Sequence, residues 1–153
     1  KQPIDIGEYM SAYVDEIARE YEKKNFRIQL KVVSSAKILA DSDMFDRICT
    51  NLIENAYKYN DKENGSMMIT VKSGHYHVKI TFADNGPGVN DDEISNLWDV
   101  FYRTDHARKN AGESNGIGLA IVKKAVEMME GKVEAKNGKS GGLSVIIRIP
   151  ISE

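Results

Sequence analysis

Apolar residues recur along this chain with two different periods, and the switches between them divide it into elements. From about Ile6 to Lys24, Tyr9, Met10, Tyr13, Val14, Ile17, Ala18 and Tyr21 fall at helical spacing, and Asp5 stands where it can cap the helix. Phe26, Ile28, Leu30 and Val32 then alternate with polar residues as a strand, and Lys37 to Ala40 reads as a short strand that pairs nearby. The spacing predicts a second helix over Ser42 to Tyr59, where Phe45, Ile48, Cys49, Leu52, Ile53 and Ala56 share one broad face. Met67, Ile69 and Val71 alternate again. Ser73-Gly74 turns the chain into a hairpin partner in which Tyr76, Val78, Ile80 and Phe82 point to one side. Asp91 to Phe101 is helical in part, while Tyr102 to Asn115 is polar, lacks periodicity and reads as a mobile loop. Gly116 to Glu130 is a third helix stopped by Gly131, and Val133 to Lys136 and Leu143 to Ile149 are final strands joined by a Gly- and Lys-rich turn.

Helices and strands are therefore intermixed without a strict strand-helix-strand repeat. The expected fold is α+β: a two-layer α/β sandwich with a mixed, largely antiparallel sheet and helices packed on one face. With 153 residues, 41% hydrophobic and 29% charged, the chain fits one domain over residues 1–153. Its 21 basic and 23 acidic residues give no support for an electrostatic nucleic-acid binder or a polybasic membrane surface, so any phosphate binding must be local. The single Cys49 excludes an internal disulfide, points to a reducing compartment and lies in the apolar helical pattern as a small core residue. No signal peptide is evident, and no apolar run approaches the ~20 residues of a membrane span. The opening Lys1-Gln2-Pro3, without an initiator Met, is expected of a piece of a longer protein.

Three segments carry candidate chemistry. Asp84 continues the apolar series of its strand, and an ionised carboxylate aimed inward costs several kcal/mol, in rough terms, unless donors meet it. The following Asn85-Gly86-Pro87-Gly88 gives a tight turn against which a flat ligand could lie, with Gly86 and Gly88 leaving backbone exposed and a purine amine suiting the carboxylate. Ordinary turn chemistry would produce the same tetrapeptide. On the second helix, Asn51, Asn55 and Lys58 form a line at i, i+4, i+7 along one edge. Such a row suits a polyphosphate with its metal, Asn55 offering a hard oxygen to Mg²⁺ and Lys58 a charge to phosphate, while Tyr59 could pack on base or ribose. A solvated helix face is the simpler alternative, although two Asn inside one helix need a compensating reason. Finally, Asn115-Gly116-Ile117-Gly118-Leu119 opens a helix whose N–H groups favour an anion; capping by Asn115 beside a flexible hinge would account for it equally well.

Together these residues resemble the catalytic ATP-binding domain of bacterial sensor histidine kinases, which shares the Bergerat-type fold with gyrase, mismatch-repair and heat-shock chaperone ATPases. Asp46 to Tyr59 resembles the N box, Asp84 to Gly88 the first glycine box, Leu97 to Arg103 the F box, and Gly116 to Val122 the second glycine box, in the family's order. The resemblance implies ATP and Mg²⁺ as cofactors. It implies that Asp84 binds the adenine amine, Asn55 holds Mg²⁺, Lys58 and Arg103 contact phosphates, Phe101 anchors a lid over Tyr102 to Asn115, and Gly116, Ile117, Gly118 and Leu119 border the nucleotide. Ser114 departs from the family's longer glycine run. Members that hydrolyse ATP carry a Glu where this chain has Asn51, and an amide cannot accept water's proton, so Asn51, Lys58 and Arg103 are read as a transfer set. Glu54 is turned about a quarter-turn away. His75, His77 and His106 lack the acidic neighbour of a phosphoacceptor.

The expected function is thus transfer of the γ-phosphoryl group of MgATP to a histidine on a separate helical dimerisation domain lying before Lys1. The full-length protein would be a homodimer with a response regulator as partner, and this chain a cytoplasmic domain, itself without a membrane segment, of a membrane-bound sensor. Two other classes fit the residues: a stand-alone serine kinase of the anti-sigma-factor type, and a nucleotide-sensing module without transfer activity.

Overall fold

The computed structural model describes residues 1–99, 118–139 and 141–152. Strand β1 (Gln2–Asp5) runs directly into helix α1 (Ile6–Glu22), and β2 (Phe26–Val32) and β3 (Lys37–Ala40) lead to α2 (Ser42–Lys58). The hairpin of β4 (Gly65–Ser73) and β5 (His77–Asp84) is followed by a 3-10 turn (Asp91–Asn96), α3 (Gly118–Met128), β6 (Lys132–Asn137) and β7 (Leu143–Pro150).

Five strands form one sheet in the order β2-β4-β5-β7-β6. β2 and β4 are parallel and the other pairings are antiparallel, so the sheet is mixed and largely antiparallel as its sequence implies. Phe26 and Ile28 on β2, Met67, Ile69 and Val71 on β4, Val78, Ile80 and Phe82 on β5, and Val145, Ile147 and Ile149 on β7 face one way. They close a continuous apolar core with residues of all three helices. The other face of the sheet carries no helix among the described residues. Cys49 is fully buried, its thiol donating to Met10 Sδ at 3.8 Å, and burial pushes the thiol pKa up, which fits a core residue and not a nucleophile.

The helix ends follow their local chemistry. Asp5 caps α1, its Oδ1 accepting from Glu8 N–H at 3.0 Å and from the Ser35 hydroxyl at 2.8 Å. Asp41 caps α2 by accepting from Asp43 N–H at 2.9 Å. At the end of α3 the helix closes at Met128, two residues before the expected Glu130; the left-handed residue that follows is Glu130, with φ of 61°, and not Gly131. Gly131 is required for a different reason, since a Cβ there would lie 2.6 Å from the Arg148 carbonyl oxygen. The absent side chain lets the helix exit pass against β7.

Three other expectations change. β1 has no counterpart in the sequence reading, because four residues with a proline show no alternation to detect. β3, expected only to pair nearby, takes this strand as its antiparallel partner in a separate two-stranded ribbon, Pro3 opposite Leu39. Tyr76 is 79% exposed: it lies in the turn that Gly74 N–H closes onto the His77 carbonyl, one residue before β5 begins.

One buried polar atom lacks a partner among the described residues, the Tyr9 hydroxyl. The Tyr9 ring is held edge-on to Phe45 with centroids 5.1 Å apart, so ring packing, not the hydroxyl, fixes the side chain. Tyr9→Phe should therefore stabilise the fold by about 1 kcal/mol, because it removes an unpaid desolvation cost while keeping the ring. Chemical denaturation of the variant and parent checks this, and a loss of stability would mean that the hydroxyl is engaged.

Candidate functional site

Asp84 is the last residue of β5 and stays half-buried on the side of Phe82. Two donors meet it: Gly86 N–H at 2.9 Å and Leu143 N–H at 3.2 Å, both on Oδ1. Oδ2 has no partner among the described residues and is available to an incoming donor. Burial raises the carboxyl pKa above the usual 3.8, the two backbone donors oppose that rise, and the charge of Asp61 adds to it. The site therefore holds an acceptor whose negative charge is incompletely satisfied by the protein.

The Leu143 donor was absent from the sequence reading, although Gly141-Gly142 ahead of an apolar run is its signal. Gly142 has φ of 79°, and a Cβ there would land on the Asp84 carbonyl oxygen. Only glycine lets β7 enter so close to the end of β5, which brings the Leu143 N–H to the carboxylate. Gly86 is crowded less severely, since its Cβ would lie 3.2 Å from Asp84 Oδ1 and 3.8 Å from the Tyr59 carbonyl oxygen. This turn thus packs against the end of α2.

Two asparagines outside the predicted set hold the loop. Asn85 accepts from Ser66 N–H at 2.8 Å and donates to the Asn64 carbonyl at 3.0 Å. Asn137, on β6, accepts from Val89 N–H at 2.9 Å and donates to the Val89 carbonyl at 2.6 Å. Gly88, with φ of 71°, makes room for it, because a Cβ there would lie 2.6 Å from Asn137 Oδ1. Nothing in spacing or periodicity could have linked Asn137 to a loop 48 residues away.

The start of α3 reaches the asparagine edge of α2. A Cβ on Gly118 would lie 3.3 Å from Asn51 Oδ1 and 3.9 Å from Asn55 Oδ1. Both Asn side chains are half-buried, and neither amide has a hydrogen-bond partner among the described residues. Lys58 is exposed in the last turn of α2, and Tyr59 is the half-buried C-cap, its N–H donating to the Asn55 carbonyl at 3.2 Å. Glu54 is exposed on another side of the helix, where its charge acts on Tyr13 and Tyr21 of α1; burial pushes the Tyr13 phenol up to about 12, against the hydrogen bond with Thr50, and Glu54 adds a minor part. Leu119 packs partly against the apolar core. Phe101, Arg103, Gly116 and Ile117, with Ser114, His106 and the Tyr102 to Asn115 lid, lie outside the described residues. His75 and His77 are both exposed, on the hairpin turn and on the open face of the sheet.

An incompletely satisfied carboxylate at a strand end, glycine turns beside it, and two unengaged amides facing the start of another helix define an α+β domain able to seat a purine nucleotide. The chain belongs to the histidine kinase-, DNA gyrase B-, and HSP90-like ATPase family, whose model matches residues 40–153. It is 30% identical over 151 residues to the signal transduction histidine-protein kinase BaeS of Escherichia coli (strain K12), covering 99% of this chain and 32% of BaeS. The chain thus spans about a third of the length of the curated relatives it matches. Among solved structures it is similar to the mycobacterial sensor histidine kinase MprB, with a TM-score of 0.83, 22% identity and 98% of each chain covered. It also resembles full-length ShkA solved in complex with AMPPNP, with a TM-score of 0.82 and 27% identity over 98% of this chain and 31% of that one. The expected two-layer fold is that of histidine kinase ATP-binding domains.

The Asp84 carboxylate generates a paired expectation. Asp84→Asn should abolish most nucleotide affinity measured by calorimetry, while apo stability at neutral pH holds or rises. The sign follows from the raised pKa: ionising Asp84 costs folded-state stability as pH climbs from 3.8 through the higher folded value, and the amide removes that cost. In the parent, affinity should decline as pH falls through that raised value, and the decline should vanish in the variant. Intact binding in Asp84→Asn would reject the assignment.

Proposed function

We propose that this chain is the catalytic ATP-binding domain of a sensor histidine kinase, extending over residues 1–153 of a longer protein. It would bind MgATP and pass the γ-phosphoryl group to a histidine on a separate helical dimerisation domain. The observation that carries transfer over hydrolysis lies where α3 meets α2: the described residues there offer two amides, Asn51 and Asn55, and Glu54 is turned toward α1. With no carboxylate among the described residues at that contact, water lacks a general base there, and positioning with charge neutralisation does the work.

In this reading Asp84 Oδ2 accepts from the adenine amine, and Gly86 and Gly88 leave backbone beside the ring. Tyr59 lies next to base or ribose. Lys58 neutralises phosphate oxygens, and Asn51 sits beside the transferred group. Phe101, Arg103, Gly116, Ile117, Gly118 and Leu119 take the lid and phosphate-border roles that their motifs imply. Asn55 Oδ1 is a hard oxygen ligand beside a space kept open by Gly118, and no group of three His, Cys, Asp or Glu able to cage a cation occurs among the described residues. Such a donor set fits Mg²⁺, which keeps waters and phosphate oxygens as its other ligands and supplies charge neutralisation at the phosphates. A response regulator is the expected recipient downstream, with the full-length protein a homodimer at the membrane and this domain in the cytoplasm.

Labelled ATP incubated with this domain and the helical segment that precedes it in the full-length chain tests the proposal. Acid-labile label on that segment is the expected result. Acid-stable label would indicate a serine kinase, and absence of label a nucleotide sensor.

The metal role separates from nucleotide affinity in a second measurement. Asn55→Ala should weaken MgATP binding tenfold or more and metal-free ATP binding far less, since only the former uses the amide oxygen. Equal losses would remove Asn55 from the metal.

A further inference from the structure

The face of the sheet opposite the helices is strongly basic, although the whole chain has a formal net charge of −2. Lys132 on β6 pairs with Arg148 on β7, Arg148 with Lys79 on β5, and Lys79 with Lys72 on β4. Four cations thus stand directly opposite one another in one row across four adjacent strands. Lys31 and Arg27 on β2 and Lys136 on β6 extend the charge to both sides, and every one of these side chains is at least partly exposed. Among the described strand residues the only acid on this face is Glu134, bound to Arg148 at 2.9 Å. Its carboxyl is held below the usual range first by that bond, with Lys136 and Lys79 adding their charge.

Like charges placed directly opposite across strands destabilise a sheet, and an ordinary solvated face mixes signs. A face that retains a run of four is therefore arranged for an anionic surface. The composition selects among such surfaces. Protein–protein interface cores are enriched in aromatic residues and depleted in lysine, whereas this face is lysine-rich and the five strands place no Phe, Tyr or Trp on it. Single-stranded nucleic acid stacks its bases on aromatic platforms that are likewise missing here. What remains is a patch roughly 20 Å across, at about 4.8 Å per strand spacing, bearing compact flexible ammonium groups suited to a field of anionic headgroups.

We propose that the open face of the sheet docks on an anionic lipid bilayer surface through the Lys132–Arg148–Lys79–Lys72 row. The nucleotide-site residues lie with the helices on the other side of the sheet, so docking would leave the site facing the solution. The contact is electrostatic and peripheral: no bond forms or breaks, and salt competes with it.

The purified domain is sedimented with phosphatidylcholine vesicles and with mixed phosphatidylcholine–phosphatidylglycerol vesicles at low and raised salt. Binding only to the anionic vesicles, lost as salt rises, is expected. The variant Lys72→Gln/Lys79→Gln/Lys132→Gln should lose that binding tenfold or more while its unfolding midpoint stays at or above the parent's. Removing three charges elsewhere, by Arg19→Gln/Lys23→Gln/Arg47→Gln, should leave binding within twofold. Failure of the parent to bind, equal binding to neutral vesicles, or equal losses in the two triple variants would each overturn the proposal. Retention by a single-stranded oligonucleotide but not by the anionic vesicles would overturn it in favour of a nucleic-acid surface.

Discussion

A single carboxylate organises one end of this domain. Asp84 sits where β5 ends, and both of its protein donors are backbone N–H groups from segments that must come unusually close, Gly86 two residues on and Leu143 from the far hairpin. The second approach depends on a missing side chain at Gly142, and a side chain at Gly86 would crowd Asp84 Oδ1. The donors saturate one oxygen and leave the other, so the site is preorganised without being satisfied. Asn85 and Asn137 keep the following loop in place from two directions. Removing either would loosen the wall beside the carboxylate without touching the carboxylate itself.

The neighbouring contact between α2 and α3 uses the same economy of volume. A helix normally excludes asparagine from its interior because the amide competes for the backbone. In α2 the amides of Asn51 and Asn55 point to the start of α3, where Gly118 leaves space in front of them. The two amides proposed for the phosphates and their metal thereby lie between two elements that also share the apolar core, through Leu52, Ile53, Val122 and Val126.

Much of this was legible in the sequence, for identifiable reasons. Apolar periodicity located all three helices and six of the strands because each buries one face against the core; Asp5 announced the start of α1 by its chemistry, while the Asp41 cap of α2 went unread. Asp84 was legible because its parity placed a charge among apolar residues. What escaped depends on pairs distant in sequence. β1 has meaning only beside β3, Asn137 only beside Val89, and Gly131 only beside the Arg148 carbonyl. Tyr76 misled because an apolar residue in a tight turn extends the alternation without sharing the strand's burial. Net charge misled in the same manner, since a nearly neutral total conceals a basic sheet face balanced by acidic residues elsewhere.

The parallel pairing of β2 with β4 has a consequence for how the domain assembles. Between those strands the chain must traverse β3 and the whole of α2 before the first ladder bond can close. Parallel strands cannot be joined by a tight turn, and contacts of long sequence separation form late because chain entropy opposes them. The asparagine helix is itself that crossover. A polypeptide emerging from synthesis can therefore form α1 and the β4–β5 hairpin locally, yet the site proposed for the nucleotide is incomplete until the crossover has closed and the final hairpin has delivered Leu143 to Asp84. On the proposed assignment, ligand capture would report completed folding, from the first strand of the sheet to the last.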